Sequence, residues 1–361
     1  MPPSPDAVAA MWVEEVDGTE ALERLRPDWG RLWASIPSAT PFQSPAWLIP
    51  WWRHVGEGEL LTLAVRDADE LVGLLPFYVY PAPGGGGRRL FPLGIGTTDY
   101  LDALAAPGRE GEVMGLGFRH LAGGPRPRFD LAEWPQLRPG SPLLAAAAPA
   151  GWLDRTEPAE PCPVLNLPAA VDGLGAVVPR KTLRDLRTVR RRAGGGAGGA
   201  PRWESAAAET LGPLFDALLR LHAARWESRG EAGVLASPAV RAAHRAALPA
   251  LLEAGLLRLH ALRLGDEIVA ALYALADPPG RSERRLYFYL SGFDPALERL
   301  SPGMLLVGHA IEAAIGEGLA VADFLRGQER YKYLWGARDT PTFRRVLTPP
   351  GGGEVPPCEP C

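Results

Sequence analysis

Residues 323–336, DFLRGQERYKYLWG, bring together side chains that could carry out chemistry. Asp323 could accept a proton from an attacking group, and Tyr331 could return one to a leaving group, each role being worth about 10² to 10⁴ in rate. Arg326 and Lys332 add two cations to the same segment. We therefore predict either a site that holds a substrate for chemistry or a docking surface.

Several residues of this segment also have structural explanations. Asp323 and Arg326 could form an ion pair that closes the end of a strand. Trp335 could pack in the core or form a wall of the substrate cleft. If Trp335 holds the segment to the core, Tyr331 and Lys332 are free to face ligands. We then expect Lys332→Ala and Tyr331→Phe to lower turnover without changing the melting temperature, and Trp335→Ala to destabilise the fold.

A second candidate site begins at RLSPGM, residues 299–304. Ser301 can cap a helix, and Pro302 suits the first helical position. The free N–H groups at such a helix start can bind an anion, so Ser301, Gly303 and Met304 would act through their backbones. Arg299, just before the helix, would add a charge. The alternative is that this sequence is only a favourable helix start.

A run of cations, RKTLRDLRTVRRR, occupies residues 180–192. Helical spacing places Arg184, Arg187 and Arg191 on one face. Such a face is usually only solvated. The alternative is that Arg184 and Arg187 contact a phosphate-bearing acceptor or an acidic polysaccharide precursor.

The elements around these residues repeat. AVRDADELVGLLP (64–76) aligns with ALRLGDEIVAALY (261–273) at a constant offset of 197, including Asp69 with Asp266. Each half reads as an acidic-turn hairpin, another strand, a helix and a strand, in the order β-β-β-α-β. The predicted helix and strand of the first half are residues 109–122 and 128–134. We therefore expect an α/β protein with two similar halves.

In the second half, an apolar stripe at helical spacing follows Pro302 and stops at Gly318, and residues 319–325 read as a buried strand. Residues 209–229 and 237–254 add two helices. The predicted domains are residues 1–165, residues 166–348 and a disordered Pro/Gly/Cys tail, 349–361. The segment EPAEPCP (157–163) is expected to be a linker.

The chain has 361 residues, 38 Lys plus Arg against 42 Asp plus Glu, and a net charge of −4, so no long-range positive field favours nucleic acid. No signal peptide or membrane span is apparent, which predicts a soluble cytoplasmic protein. The three cysteines, Cys162, Cys358 and Cys361, cannot form a disulfide framework. The His residues have no metal-site spacing, and we expect no metal.

Several segments together resemble the CelD/BcsL-type acyltransferases, bacterial proteins with two GNAT-like halves related to the FemAB aminoacyltransferases. They are PFQSPAWLIPWWRHVG (41–56), LGIGTTDYLDAL (93–104), RKTLRDLRTVRRR (180–192), LSPGMLLVGHAIEAA (300–314) and DFLRGQERYKYLWG (323–336). The resemblance implies tandem GNAT-like domains, each with a mixed sheet flanked by helices. RLSPGM departs from the usual acyl-CoA loop because Met304 occupies its second Gly/Ala position.

The resemblance further implies an enzyme that moves an acyl group, most simply acetyl from acetyl-CoA or another acyl-CoA. Its acceptor would be an amine or hydroxyl of a sugar or of a cell-envelope precursor, in exopolysaccharide or cellulose biosynthesis. The donor pyrophosphate would lie at the RLSPGM helix start in the second half only, and Lys332 occupies the position of a FemAB-type lysine. The alternatives are FemAB-like transfer from aminoacyl-tRNA, or a non-catalytic factor in polysaccharide synthesis.

Overall fold

The computed structural model describes residues 11–124, 128–195 and 200–352. Two compact units are present: unit 1 comprises residues 1–159 and 341–361, and unit 2 comprises residues 160–340. The predicted boundary after residue 165 lies six residues from this division. Residues 341–348, which we had grouped with the C-terminal domain, belong to unit 1. Residues 353–361 of the predicted tail, with Cys358 and Cys361, lie outside the described residues.

The elements follow one another along the chain with short connections. The strands are β1 Trp12–Val16, β2 Glu59–Asp67, β3 Glu70–Pro81, β4 Arg88–Pro92, β5 Leu104–Ala105, β6 Leu131–Leu137, β7 Leu153–Asn166, β8 Arg202–Ser205, β9 Leu257–Leu264, β10 Glu267–Ala276, β11 Arg285–Phe293, β12 Val321–Asp323 and β13 Arg338–Thr348. The α-helices are α1 Thr19–Arg24, α2 Arg26–Ser35, α3 Pro45–His54, α4 Glu110–Ala122, α5 Pro142–Ala145, α6 Arg180–Gly194, α7 Leu211–Glu227, α8 Pro238–Glu253, α9 Pro302–Gly316 and α10 Arg330–Leu334.

The sheet of unit 1 has the strand order β1-β2-β3-β4-β6-β13-β7, and β5 pairs with β3 off this path. The β4–β6 pair is parallel, whereas β1–β2, β2–β3, β3–β4 and β6–β13 are antiparallel. Helix α4 supplies Val113, Met114 and Phe118 to the core beside this sheet. The α/β prediction with a mixed sheet is confirmed.

The sheet of unit 2 has the strand order β7-β12-β11-β10-β9-β8. Its only parallel pair among the described residues is β11–β12. Helices α6 and α9 belong to the core cluster that covers it, because both present an apolar stripe at helical spacing. The helices predicted at 209–229, 237–254 and after Pro302 are confirmed as α7, α8 and α9.

The internal repeat is confirmed at the level of single contacts. In both units a two-residue turn joins the paired strands, and its first residue has a positive φ: Ala68 at 50° and Gly265 at 62°. Arg66 donates to the carbonyl of Asp69 at 2.9 Å, and Arg263, 197 residues later, donates to that of Asp266 at 2.8 Å. The repeat also extends further than we predicted, because β1 and β8 occupy equivalent edge positions.

The segment EPAEPCP is a strand and not a linker. It forms part of β7, in which Cys162 is buried, and residues 164–166 pair with β12. The proline ring fixes φ near −65°, a value compatible with extended backbone, so a Pro-rich composition does not exclude a strand. Within the described ranges, no helix is long and apolar enough to cross a membrane, and no group of three or more His, Cys, Asp or Glu could hold a metal ion.

Candidate functional site

Strands β11 and β12 run side by side for only three residues and then separate. The register pairs end at Tyr287 with Asp323, whereas β11 continues, paired with β10, to Phe293. The β10–β11 register shifts at residue 289, so that Tyr289 is an extra residue on β11. A bulge bends the strand that carries it. Phe288 still stacks on Phe324, with ring centroids 4.8 Å apart, so the strands part beyond residue 288. We call the side of residues 289–293 that β12 leaves unpaired the gap; four of these five residues are partly exposed.

Helix α9 begins next to this gap. Gly303 lies in its first turn, and a Cβ at that position would be 3.7 Å from the ring of Phe293. Pro302 has no N–H, and the N–H groups of Met304 and Leu305 both donate to the carbonyl of Ser301, at 3.0 and 3.2 Å. Among the described residues, the N–H of Gly303 has no acceptor. It remains available to an anion in the gap.

Ser301 differs from its predicted role as a side-chain cap. Its side chain makes no capping hydrogen bond, and its backbone is left-handed, with φ 46° and ψ 54°. This conformation is costly for a non-glycine residue, and such residues cluster at functional sites. Leu325, which follows β12, also has a positive φ of 57°. Strained residues therefore occur both at the start of α9 and just after the end of β12.

Lys332 is not free to face a ligand, which corrects our expectation. The side chain is 2% exposed, and its Nζ donates to the carbonyls of Leu325, Arg326 and Gly327 at 3.2, 2.6 and 2.9 Å. Glu329 lies 2.8 Å from the same nitrogen. Three carbonyls converge here because the chain reverses after β12, and only a cation with several donors can satisfy them together. Lys332 thus holds the turn in place.

Asp323 lies at the point where the two strands part. It is 1% exposed, and its Oδ1 accepts the N–H of Leu325 at 2.9 Å. Its Oδ2 lies 3.9 Å from the guanidinium of Arg285. The carboxylate therefore helps to shape the turn. The catalytic role of Asp323 and the substrate-binding role of Arg326 stay predictions.

Tyr331 is the exposed member of the predicted catalytic set. The residue is 37% exposed, and its ring meets that of Phe324 edge-on with centroids 6.2 Å apart. Burial of the phenol, followed by the nearby carboxylate of Glu329, raises the pKa of Tyr331 to about 12, with Arg225 acting in the opposite direction. A phenol with this pKa is protonated at neutral pH, and it is a weaker acid than an unperturbed tyrosine.

Arg225, on α7, is a residue that we did not select from the sequence. Its guanidinium donates to the hydroxyl of Ser291 at 3.0 Å and lies over the Phe293 ring, 5.1 Å from the centroid. Its Nε is buried without a hydrogen-bond partner, and no carboxylate among the described residues forms an ion pair with it. Burial, and then Arg229, lower the pKa of Arg225, while Tyr331 and Glu329 oppose this shift.

The position of Arg225 connects it to the start of α9. The Phe293 ring beneath its guanidinium is the same ring that lies against Gly303. A mostly buried arginine without a carboxylate is unusual, because a buried charge normally has a partner. Both the guanidinium of Arg225 and the first turn of α9 therefore lie beside the Phe293 ring. The sequence feature that could have identified Arg225 is its position on the apolar face of α7, seven residues after the buried Leu218.

The remaining predicted site residues lie apart from these contacts. Arg184 and Arg187 are exposed on α6, and Arg299 is exposed just before α9. Trp335 is 3% exposed; it packs in the core, where its ring lies 3.2 Å from the Cβ position of Gly308. Trp335 therefore cannot form a wall of an open cleft. Its size and the absence of a side chain at Gly308 explain this close packing.

Comparisons with known proteins agree with this geometry. Residues 180–333 match the family model described as an acetyltransferase (GNAT) domain. No curated protein sequence matched the chain. The structure is similar to that of FemX, with a TM-score of 0.62 and 9% identity over 89% of this chain and 95% of FemX.

Two further solved structures show the same fold. A conserved protein of unknown function from Bacteroides thetaiotaomicron has a TM-score of 0.54 and 10% identity over 94% of this chain and 100% of its own. L-PGS from Bacillus licheniformis has a TM-score of 0.50 and 12% identity over 83% of this chain and 86% of its own. At these identities the likeness extends to the fold alone. The prediction of tandem GNAT-like halves is confirmed, whereas the narrower CelD/BcsL assignment stays a prediction.

Proposed function

We propose that the protein transfers an acyl group from an acyl-CoA, most simply acetyl-CoA, within unit 2, where residues 180–333 match the model of an acetyltransferase (GNAT) domain. The acceptor is an amine or hydroxyl of a sugar or cell-envelope precursor, such as one used in exopolysaccharide or cellulose synthesis. The observation that carries this proposal is the separation of β11 and β12 beside the first turn of α9. A thioester lying between the separated strands would place its phosphates at that helix start.

The residues of the gap fit an anionic, thiol-bearing donor. The N–H of Gly303 and the guanidinium of Arg225 supply donors for phosphate oxygens, and Arg299 adds an exposed charge. Met304 offers no free backbone donor here, because its N–H already donates to the carbonyl of Ser301. The departure of RLSPGM from the usual loop therefore leaves one helix N–H free for a phosphate oxygen. The guanidinium of Arg225 replaces part of the missing hydrogen-bond donors.

The proposed reaction needs one proton donor from the protein. The acceptor nitrogen or oxygen attacks the thioester carbonyl carbon, the C–S bond breaks, and the thiolate takes the phenolic proton of Tyr331. The proton of the acceptor passes to water. Tyr331 is then reprotonated from solvent, which its 37% exposure allows. In this scheme Asp323 and Lys332 act by positioning the turn between β12 and Tyr331.

Calorimetric titration with CoA and acetyl-CoA tests the donor. Gly303→Glu places a carboxylate in the first turn of α9, and we expect it to weaken CoA binding at least tenfold. The matched control is Gly212→Glu, because Gly212 is also the second residue of a helix in unit 2 and has open space around its Cβ position. Failure of wild-type protein to bind any CoA species at millimolar concentration would exclude the acyl-CoA donor.

Arg225→Met tests the second half of the anion site. We expect weaker CoA binding with little loss of stability, since removing a poorly paired buried charge is often neutral or stabilising. The control is Arg220→Met. Arg220 is an exposed arginine of the same helix, and its guanidinium donates to the carbonyl of Ile268 at 2.9 Å. Equal CoA affinity in the two variants would remove Arg225 from the site. Binding of aminoacyl-tRNA in place of CoA would favour FemAB-like transfer.

A further inference from the structure

Helix α6 concentrates positive charge in a chain whose net charge is −4. Its fifteen residues include seven Lys or Arg and one acidic residue, Asp185. Four arginines, Arg180, Arg184, Arg187 and Arg191, follow one another at intervals of four, three and four residues. This spacing places them in one stripe along the helix surface. The stripe is about 17 Å long at 1.5 Å per residue.

The opposite side of α6 is already used for folding. Leu186 and Val189 are buried in the core of unit 2, and the Cβ position of Gly308 on α9 lies 2.9 Å from Leu186. The hydroxyl of Thr182 donates to the carbonyl of Leu334, which joins the first turn of α6 to α10. The arginine stripe therefore faces away from the packed side, and all four of its members are exposed.

Little within the described residues neutralises this stripe. Arg184 is 3.8 Å from Asp185, which also pairs with Lys181 at 3.0 Å. No carboxylate forms an ion pair with Arg180, Arg187 or Arg191 in the described part of the chain. Like charges at this spacing repel, and each such pair costs a few tenths of a kcal/mol. An external anionic surface would relieve that repulsion.

Helix α10, which meets the first turn of α6, carries an exposed apolar side chain. Leu334 of α10 is 42% exposed, and its backbone accepts the hydrogen bond from Thr182. Cations near an exposed leucine are typical of surfaces that lie on a phospholipid bilayer, where the cations meet the headgroups and the apolar groups enter the interface. Nucleic-acid backbones offer no apolar layer for Leu334.

We propose that this α6 surface, formed by Arg180, Arg184, Arg187 and Arg191 with Leu334 near the first turn of the helix, binds the surface of an anionic phospholipid membrane. Each Lys or Arg near such a surface contributes about 1 kcal/mol, which is about fivefold in affinity. Binding of this kind would bring the protein to acceptors carried on lipid. The membrane contact itself does not depend on the acyl-transfer proposal, because it needs neither donor nor acceptor.

The test is co-sedimentation of the full chain with vesicles of phosphatidylcholine containing 30% phosphatidylglycerol, and with vesicles of phosphatidylcholine alone. We expect binding only to the anionic vesicles and its loss in high salt, because exposed charges are screened. The triple variant Arg184→Glu, Arg187→Glu, Arg191→Glu should bind at least about 100-fold more weakly. The same three positions changed to Gln give a second variant, in case the Glu variant does not fold.

The control has the same net charge as the triple Glu variant. It carries Arg155→Glu, Arg202→Glu and Arg245→Glu, at positions whose side chains are 78%, 62% and 49% exposed. We expect it to bind anionic vesicles within a fewfold of wild type. Equal binding of both triple variants, or equal binding of wild type to neutral and anionic vesicles, would overturn the proposal. So would wild-type binding to RNA or to an acidic polysaccharide without binding to vesicles.

Discussion

Replacing Lys332 by Met tests whether this residue is structural. Met has a stem of similar length but no donor, so the carbonyls of Leu325, Arg326 and Gly327 lose their common partner and Glu329 loses its counter-charge. This expectation reverses the one drawn from the sequence, in which a change at Lys332 left stability unchanged.

The magnitude follows from the contacts. Hydrogen bonds from a charged donor are worth about 1.5–3 kcal/mol each, and leaving a buried acceptor unsatisfied costs about 1–3 kcal/mol. Two of the three carbonyl contacts are only partly buried, so water can replace part of the loss. We expect Lys332→Met to lower the free energy of unfolding of unit 2 by about 3–5 kcal/mol. For a unit of this size the melting temperature should fall by about 6–20 °C.

Thermal and urea unfolding, followed by circular dichroism, measure this loss. The control is Lys181→Met, because Lys181 is exposed and its ion pair with Asp185 should contribute less than about 1 kcal/mol. If Lys332→Met melts within 1 °C of the control, the three carbonyl bonds contribute nothing and the reasoning is refuted. A loss of turnover with unchanged stability would instead restore the sequence-based prediction of a ligand-facing lysine.

Three further predictions concern unit 2. Burial lowers the pKa of His222, His244 and His260 from 6.5 to about 4. The stability that these neutral side chains contribute is therefore complete above pH 6.5 and is lost as the pH falls toward 4. The midpoints of urea unfolding at pH 7.0 and pH 4.5 should differ, and equal midpoints would contradict this prediction. Trp335→Ala should cost about 3–5 kcal/mol, measured by the same unfolding assay. An alanine Cβ at position 292 would lie 2.3 Å from the backbone nitrogen of His222. Gly292→Ala should therefore lower the free energy of unfolding by more than about 1 kcal/mol. Unchanged stability would contradict the close packing of β11 against α7.

The sequence by itself determined most of the secondary structure of the repeat. The offset of 197 identified both hairpins because two strands and a tight turn depend on local side-chain alternation and turn chemistry, which a short segment encodes. Pro302 and Gly318 marked the two ends of α9 closely. A proline suits the first turn of a helix, and the φ of 73° at position 318 favours a glycine there. The same local rules failed for EPAEPCP, where partners from distant segments decided that the backbone forms a strand: β7 lies beside β13, and the carbonyl of Pro163 accepts the N–H of Phe324.

The roles of the candidate site residues depended on the tertiary structure. The sequence placed Lys332 and Tyr331 side by side as equivalent candidates, but α10 turns the first toward three buried carbonyls and leaves the second exposed. Arg225 is separated by 66 residues from Ser291 and by 106 from Tyr331, so no local pattern could show that its guanidinium lies against Ser291 and Phe293. Charge and residue type are properties of the sequence. Whether a cation is surrounded by acceptors of its own chain, as Lys332 is, or has no carboxylate partner among the described residues, as with Arg225, depends on which distant backbone and side-chain atoms the fold places around it.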